Sequence, residues 1–437
     1  MTNCNTKNIS FSPCKRKKVE VNFNGGDVTS DGGVLFLREI DRKIGLTKQI
    51  SNLIPDARDK RYVDHPIEKI LAQRIYGIAL GYEDVNDHIT LRKDPGFQTA
   101  INTDSDLASS STLSRFENSI TRETIVEINK TFVETFIASF KKAPRELILD
   151  FDPTDDTIHG NQENKHYNGY YESYCYLPLY VFCGEQLLVS YLRPCNIDGA
   201  KHAWPILSLL VKRFRQKWPN VKIIFRGDSG FCRNKMLEWC DKNSVGYIVG
   251  IGKNSRLLKS SITLRTEASS LCKETEKKQR LFDEFQYAAK SWKHKKRIIV
   301  KAEHTLLGAN PRFIVTNLEG DPKYLYEEIY CARGDMENRI KEQQLDLFAD
   351  RTSCHEWWAN HFRLMLSSCA YVLMSAIRRI ALKGTSLAKA QCGTIRLKLL
   401  KIGAIIIRNT RKIKFLLSSS YPYQDLFCKI HHKLCPE

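Results

Sequence analysis

The stretch from Glu146 to Ile251 most constrains the fold, because short apolar runs alternate there with amphipathic segments. The spacing predicts the order β-β-β-α-β-α-β, in which the first and fourth strands can be neighbours. The first strand ends at Asp152 and the fourth at Asp228, so both carboxylates are expected at one edge of a sheet. The predicted strands are 146–152, 170–182, 185–194, 221–228 and 245–251, with helices at 203–218 and 234–242.

A third acid, Glu337, lies in a helix-like stretch with two distinct faces. Apolar residues form one face: Ile329, Met336, Ile340 and Leu347. Polar residues spaced three and four apart line the other: Tyr330, Arg333, Glu337 and Lys341. Arg333 could hold a phosphate bidentately and Lys341 adds charge, although a plain salt-bridge face is the alternative.

Carboxylates at the ends of buried strands are costly to desolvate unless a cation pairs with them. Two Mg²⁺ ions held by Asp152, Asp228 and Glu337 would neutralise these charges, and two metal ions held in this way cleave phosphodiesters. Asp150, on the same face of the first strand, is the second choice for the first acid. The formal net charge of +19 favours a polyanionic partner.

Other composition signals concern the compartment. The apolar run from Leu364 to Ile377 is too short to span a membrane and is bounded by arginines, so it predicts a buried helix. No secretory signal is evident, and fourteen scattered cysteines are typical of a reducing cytoplasm. We therefore expect a cytoplasmic, nucleoid-associated protein with no membrane partner.

The pattern changes along the chain predict five segments. Residues 1–145 form a helical N-terminal DNA-binding region or, as the alternative, a plain helical domain, and 146–253 form the first part of the core. Residues 254–322 form a β-rich insertion, and 323–388 supply the helices carrying Glu337. Residues 389–437 form a basic C-terminal segment whose Asn409-Thr410 centre predicts a hairpin or a pair of edge strands. N-terminal helices are predicted at 35–44, 66–80 and 109–117, the last with a Ser or Thr cap and Glu117 closing a capping box.

The insertion holds the densest basic run, which includes Lys295 and Arg297 and surrounds Trp292. These residues are candidates for DNA contact, although Trp292 could instead pack under a sheet. The basic stretches 290–301 and 394–417 should both bind phosphates.

Two further motifs are similar to sites with other chemistries. A zinc site could use Cys428, His431, His432 and Cys435, but the set lacks the paired spacing of zinc knuckles. Gly227-Asp-Ser-Gly230 is similar to a serine-protease nucleophile loop, but no matching His and Asp frame is evident.

Taken together, several motifs resemble the DDE transposases of bacterial insertion sequences. The Tyr330-x2-Arg333-x3-Glu337 signature is typical of their cut-and-paste group, and four segments resemble the branch named for insertion sequence thirteen-eighty. These segments are 149–156, 226–231, 309–317 and 330–342. The resemblance extends from Gly32 to about Tyr423 and implies an α/β fold: a ribonuclease H-like mixed sheet with flanking helices and a β-rich insertion before the last acid.

The resemblance also implies a reaction and partners. Asp152, Asp228 and Glu337 would be the catalytic metal ligands for Mg²⁺, with Mn²⁺ able to substitute. The usual Lys seven residues after the Glu is Gln344 here, and Lys341 could take over its phosphate contact. A homodimer would bring together two double-stranded DNA ends at terminal inverted repeats, and a freed 3′-hydroxyl would attack target DNA.

In related transposases that hydroxyl first forms a hairpin, and an aromatic residue stacks a flipped base; Trp292 is the candidate here. Two other interpretations stay open. One is a metal-dependent nuclease without strand transfer, and the other is an inactive DNA-binding derivative.

Overall fold

The computed structural model of the protein describes residues 8–436. The strands are β1 (Ile9–Cys14), β2 (Lys17–Val21), β3 (Val28–Thr29), β4 (Glu146–Pro153), β5 (Asp156–Thr157), β6 (His166–Asn168), β7 (Ser173–Tyr176), β8 (Leu179–Cys183), β9 (Gln186–Tyr191), β10 (Lys222–Gly227), β11 (Gly246–Ile251), β12 (Gln279–Tyr287), β13 (Lys296–Thr305), β14 (Gly308–Ala309), β15 (Arg312–Thr316), β16 (Ala404–Arg408) and β17 (Ile413–Leu417). The helices are α1 (Val34–Ile44), α2 (Leu46–Ser51), α3 (Ile67–Leu80), α4 (His88–Leu91), α5 (Pro95–Ala100), α6 (Ser110–Glu117), α7 (Arg122–Ala138), α8 (Ala203–Lys217), α9 (Asn234–Lys242), α10 (Ser255–Ser260), α11 (Ile262–Thr275), α12 (Pro322–Tyr324), α13 (Gly334–Lys341), α14 (Trp357–Ala376), α15 (Cys392–Ile395) and α16 (Gln424–Leu434).

The chain divides into two compact units. The first unit combines the N-terminal part, up to Ser119, with the C-terminal part from Cys369, and the second unit is Ile120–Ser368. The units therefore group the chain differently from the five sequence segments. Helix α7 belongs to the second unit, and both ends of the chain share the first.

In the first unit, the C-terminal segment lies directly against the N-terminal one. The backbone N–H groups of Gly32 and Gly33 donate to the carbonyls of Ile402 and Leu400, at 2.8 and 3.1 Å. A Cβ atom on Gly33 would lie 1.8 Å from the Leu399 carbonyl oxygen, so only glycine fits there. The predicted basic hairpin is confirmed as β16 and β17, and β16 also pairs with β3.

Local sequence signals place the N-terminal helices close to their predicted bounds, with one correction. Ser109 caps α6 by accepting a hydrogen bond from the Thr112 N–H at 3.3 Å. Glu117 was expected to close that cap, but it lies at the far end of the helix. There it forms a buried ion pair with Arg74 at 2.6 Å, because a buried guanidinium needs a charged partner.

The second unit contains a mixed sheet of nine described strands. Eight follow the order β12-β13-β15-β11-β10-β4-β8-β9, and β14 pairs with β13. Strands β4, β10 and β11 run parallel to one another, whereas β8 and β9 are antiparallel. The predicted neighbours β4 and β10 are confirmed, with Phe151 opposite Gly227. The predicted strand 170–182 is two strands, β7 and β8, in separate sheets, because Pro178 between them cannot donate to a ladder.

Side-chain alternation gives β4 two different faces. Leu147, Leu149 and Phe151 join an apolar core that includes residues of α7, α8 and α9. Ile148 lies with the opposite core, which contains Ile224, Ile248 and the helical segment 325–330. Asp150 and Asp152 follow Ile148 with a period of two, so they share its face.

Residues 254–322 are mixed α/β rather than mostly β. Asn254 accepts a hydrogen bond from the Leu257 N–H at 3.0 Å and so caps α10, which α11 follows. The strands β12, β13 and β15 then extend the same central sheet, since β15 pairs antiparallel with β11. The segment therefore begins with two helices, and its β-rich composition describes only the later part.

The apolar run that predicted a buried helix lies in α14, which begins at Trp357. Before it, the Asn360 side chain bonds the backbone of Cys354 at 2.9 and 2.7 Å and so fixes the preceding loop. The stretch Trp357–Ala381 is long and apolar enough to cross a membrane, but 83% of its most apolar window is buried within the protein. That degree of burial is typical of a core helix.

Candidate active site

Two aspartates lie at the carboxyl ends of neighbouring parallel strands. Asp152 lies next to the last residue of β4, and Asp228 follows β10 directly. Because Phe151 and Gly227 are opposite each other, Asp152 and Asp228 come next in the same register. The Asp228 carboxylate accepts a hydrogen bond from the Gly230 N–H at 2.9 Å, which fixes the short 3-10 turn after the strand.

The third acid, Glu337, lies on a helical segment whose backbone hydrogen-bonding pattern changes along its length. A π-helix at Leu325–Tyr330 and a 3-10 turn at Cys331–Arg333 lead into α13, which bears Glu337. The predicted apolar face is buried at Met336, Ile340 and Leu347, while Glu337 is exposed. Such departures from regular α geometry are frequent at functional sites.

Arg333 joins the acids of the strand and the helix. One guanidinium nitrogen lies 3.4 Å from the Asp152 carboxylate, and the other donates to Glu337 at 2.7 Å. Burial opposes the charge of Arg333, but Asp152 and Glu337 outweigh it and raise the pKa of Arg333. The structure thus brings Asp152 and Glu337 to opposite sides of one cation.

The acid cluster carries more negative charge than Arg333 offsets. Burial raises the pKa of Asp152 to about 7; Arg333 opposes this rise, while Asp228 and Glu337 add to it. Asp228 and Glu337 are therefore close enough to Asp152 for their charges to raise its pKa. A further cation near Asp152 would relieve this repulsion.

Tyr330 reaches the loop that holds Asp228. Its ring packs against Tyr326, and its hydroxyl lies where a Cβ atom on Gly250 would be, only 2.7 Å from such an atom. The same Cβ would lie 2.9 Å from the Ser229 backbone nitrogen. Gly250 therefore provides the space in which the Tyr330 hydroxyl approaches the turn after Asp228.

Asp150, the second choice for the first acid, has a different partner. It is buried and forms a two-pronged ion pair with Arg226, the residue opposite it on β10. Arg226 also donates to the carbonyl of Ile329, on the segment that leads to Glu337. With both carboxylate oxygens engaged, Asp150 is fitted to position neighbouring elements, which leaves Asp152 as the better candidate ligand.

Gln344, which replaces the expected Lys, is also engaged. Its side-chain amide donates to the Asp155 carbonyl at 3.0 Å and to the buried Asp156 carboxyl at 3.1 Å. This connects the end of the Glu337 segment to the loop after Asp152. Lys341 lies on the exposed surface one turn after Glu337.

The candidates in the basic run of the insertion are placed differently from one another. Of the two predictions for Trp292, stacking a base or packing under a sheet, the structure agrees with the second: the side chain is only 8% exposed and packs edge-on against Tyr287 in the apolar core. Arg297 is held by Glu284 and by the carbonyls of Leu318 and Gly320. Lys295 is exposed. Because the Trp292 ring is buried, it is not accessible to a ligand in this conformation.

The donor chemistry of the acid cluster fits a divalent metal. Asp152, Asp228 and Glu337 offer only carboxylate oxygens, which suit Mg²⁺ or Mn²⁺ better than softer metals. The desolvated Asp152 is the observation that favours a bound cation.

Two other sets of metal-ligating side chains lie outside this cluster. Within residues 8–436, one group of His, Cys or acidic residues has its ligand atoms all within 4.8 Å: Glu163, His355 and Glu356. It is exposed, and Glu163 accepts a hydrogen bond from the Trp357 N–H at 2.9 Å. Among the described residues, that distance criterion is met neither by Asp152, Asp228 and Glu337 nor by the proposed zinc set on and after α16, Cys428, His431, His432 and Cys435.

The comparison that decides the family covers almost the whole chain. The family model described as Transposase DDE domain group 1 matches residues 11–436. The chain belongs to this DDE transposase family. No curated protein matches the chain. Among solved structures, a cryo-EM structure of a piggyBac transposase synaptic complex with hairpin DNA is similar at 10% identity and a TM-score of 0.43, covering 85% of this chain and 79% of that chain.

The sequence contained a signal for one feature of this DDE transposase that was missed. Asp150 precedes Asp152 by two residues, and Arg226 precedes Asp228 by two. On neighbouring parallel strands this spacing places Asp150 beside Arg226, two residues before Asp152 and Asp228. The contacts of Gln344 and the role of Gly250 left no local signal, because both depend on residues distant in sequence.

Proposed function

We propose that this protein is an active transposase that cleaves the DNA ends of an insertion sequence and joins them to target DNA. The observation that carries the proposal is that Arg333 lies between Asp152 and Glu337, while Asp228 follows the strand next to that of Asp152 in the same register. The family membership supports the reaction class. We further propose that the core is ribonuclease H-like, supported by three parallel central strands flanked by an antiparallel pair.

In this proposal the three carboxylates hold two Mg²⁺ ions, for which Mn²⁺ can substitute. The bound ions would activate the attacking oxygen and stabilise the leaving oxygen. Arg333 keeps Asp152 and Glu337 in place and offers a second guanidinium edge to a phosphate. The Tyr330 hydroxyl, beside the turn after Asp228, orients a phosphate or sugar oxygen.

The remaining polar residues bind DNA outside the reacting centre. Lys341 is exposed close to Glu337 and can contact a flanking phosphate, taking the role of the Lys that Gln344 replaces. Lys295 is the exposed candidate in the insertion. The net charge of +19 predicts binding to double-stranded DNA that weakens steeply with salt.

The finer assignments rest on sequence motifs and on the chemistry of transposition. The Tyr-x2-Arg-x3-Glu signature supports membership of the branch named for insertion sequence thirteen-eighty. So do the segments 149–156, 226–231, 309–317 and 330–342. Because two element ends must be cut together, we propose a homodimer acting on terminal inverted repeats and target DNA. The expected location is the cytoplasm, associated with the nucleoid.

The proposal is tested by cleavage and joining of labelled element-end DNA in Mg²⁺. The wild type is compared with Glu337→Gln and with Asp335→Asn, which changes an exposed acid two residues earlier on the same helix. The wild type and Asp335→Asn should nick and join. The Glu337→Gln variant should bind DNA but lose at least about a hundredfold in rate, since a metal ligand is lost.

Other results would lead to other functions. Cleavage by the wild type without joining would identify a nuclease that lacks strand transfer. DNA binding without cleavage by any form would identify an inactive derivative. Equal activity of the wild type and Glu337→Gln would show that the acid cluster is not the catalytic centre.

A further inference from the structure

The segment between strands β4 and β8 of the central sheet carries exposed aromatic side chains. Strands β6 and β7 pair as a hairpin, residues 166–176, which we call the tyrosine hairpin. Its rings are strongly exposed, at 56% for Tyr167, 87% for Tyr170 and 51% for Tyr174. Large aromatic side chains are more often half-buried, so three exposed rings on one short hairpin need a reason.

The rings of the tyrosine hairpin form two edge-on pairs, and a cation lies beside one of them. Tyr167 and Tyr174 are directly opposite each other on the two strands, with ring centroids 5.5 Å apart. The Lys165 ammonium lies 5.3 Å from the centre of the Tyr174 ring. Tyr170 projects from the turn and packs edge-on against Tyr171 at 4.9 Å.

The turn of the tyrosine hairpin is fixed by hydrogen bonds. The side-chain oxygen of Asn168 accepts from the N–H groups of Tyr170 and Tyr171, at 2.9 and 3.3 Å. Its amide donates to the Cys195 carbonyl at 3.0 Å, and Tyr171 packs on a small buried cluster. The rings therefore stand on a rigid support, which lowers the entropy cost of binding a ligand.

The tyrosine hairpin is close to the acid cluster. Strand β5 begins at Asp156, four residues after Asp152, and pairs with β7. The Ile158 N–H donates to the Tyr174 carbonyl at 2.8 Å. Burial raises the pKa of Tyr171, and the charges of Asp155 and Asp152 add to this effect, as expected for neighbouring groups.

We propose that the tyrosine hairpin binds unpaired nucleotides of DNA beside the acid cluster, by stacking bases on Tyr170, Tyr167 and Tyr174. Exposed aromatic faces next to a lysine are the combination that binds single-stranded nucleic acid, with the cation beside the phosphates. A double helix hides its base faces, so it cannot use these rings in the same way. This inference rests on the proposed function, because it assumes that DNA reaches the acids.

The test compares two fluorescent DNA probes that share one duplex. One probe is blunt, and the other carries a short single-stranded thymidine tail; binding is measured in EDTA so that no cleavage occurs. The wild type should bind the tailed probe more tightly than the blunt one. Tyr170→Ala should reduce affinity for the tailed probe by roughly tenfold and leave blunt binding unchanged, whereas Tyr170→Phe should keep the preference because it keeps the ring.

Two controls separate stacking from a general loss of binding. Tyr62→Ala removes another strongly exposed tyrosine, 80% exposed in the first unit, and should leave the ratio of the two affinities unchanged. Tyr167→Ala should lower the ratio as Tyr170→Ala does. Since these side chains are exposed, the melting temperatures of all variants should match the wild type.

Each remaining outcome has a definite meaning. If the wild type binds both probes equally, or if Tyr170→Ala keeps the tail preference, the tyrosine hairpin does not bind unpaired nucleotides. Mg²⁺-dependent cleavage would then still support the proposed function. If the wild type binds neither probe, both the inference and the proposed function are wrong.

Discussion

The two faces of strand β4 show how one element can serve stability and chemistry separately. On one face, Leu147, Leu149 and Phe151 are buried among apolar side chains. On the other, Asp150 and Asp152 meet Arg226 and Arg333. Residues adjacent in sequence therefore have opposite energetic roles, because their side chains alternate across the sheet. The apolar face stabilises the fold, whereas the polar face holds charges at a cost in stability.

The largest stability loss is expected on the apolar face. Phe151 is fully buried and packs edge-on against Phe225 at 5.1 Å. Phe151→Ala should lower the free energy of unfolding by about 4 kcal/mol through lost burial and a cavity. Urea denaturation followed by circular dichroism measures this loss; a change below about 1 kcal/mol would contradict the packing described.

A somewhat smaller loss is expected from the buried ion pair on the polar face. Arg226→Met leaves Asp150 buried without its partner and should cost about 3 kcal/mol in the same denaturation experiment. The double variant Asp150→Leu/Arg226→Met should recover most of that loss, because no lone charge remains. If the double variant is as unstable as the single one, the pair is not what positions these strands.

Removing the charge of Asp152 should raise the free energy of unfolding, whereas the substitutions at Phe151 and Arg226 lower it. The folded protein holds the Asp152 proton with a pKa of about 7, against 3.8 for the ordinary side chain. Between these values the folded state binds the proton more tightly, so this residue's contribution to stability falls as pH rises and is lowest above about 7. Without metal, Asp152→Asn should raise the free energy of unfolding by roughly 1 kcal/mol or more at about pH 8.

The pH dependence supplies the control for that prediction. Near pH 4 the stability gained by Asp152→Asn should nearly vanish, because the wild-type carboxyl is then protonated and, like the Asn amide, uncharged. Melting temperatures measured in EDTA across this range would show the trend. A variant less stable than the wild type at high pH would mean that Asp152 is not under electrostatic strain.

Glu337 should show the smallest stability effect of the four residues. Its side chain is exposed, and its ion pair with Arg333 is a surface pair along one helix. Glu337→Gln should therefore shift the free energy of unfolding by less than about 0.5 kcal/mol. Thermal melting in EDTA measures the shift, and a large loss would mean that any effect on activity reflects unfolding.

Sequence patterns predicted this contrast only where it depends on neighbouring residues or on regular repeats. The order of the predicted strands was enough to predict the first and fourth as neighbours, and their pairing places Asp152 and Asp228 next to each other in register. The apolar spacing of Met336 and Ile340 likewise predicted which face of the helix carries Glu337. Both inferences use periods fixed by backbone geometry.

The predictions that failed depend on contacts between distant residues. Trp292 lies in a basic run, but it is buried in an apolar core that also contains Met236 and Leu257. Glu117 matches a capping pattern, yet Arg74 binds it across the first unit. The docking of the C-terminal segment against Gly32 and Gly33 has no local signal, since Gly32 bonds Ile402, a residue at the other end of the sequence. Side-chain partners across the fold cannot be obtained from spacing alone.

The most direct test of the central claim is a Mn²⁺ titration followed by electron paramagnetic resonance. We predict that Asp152→Asn, Asp228→Asn and Glu337→Gln each weaken Mn²⁺ binding by at least about tenfold. Glu356→Gln, in the exposed group near Glu163, should leave the affinity unchanged. If the three variants bind Mn²⁺ as the wild type does and Glu356→Gln abolishes binding, the polar face of the sheet is not the metal site.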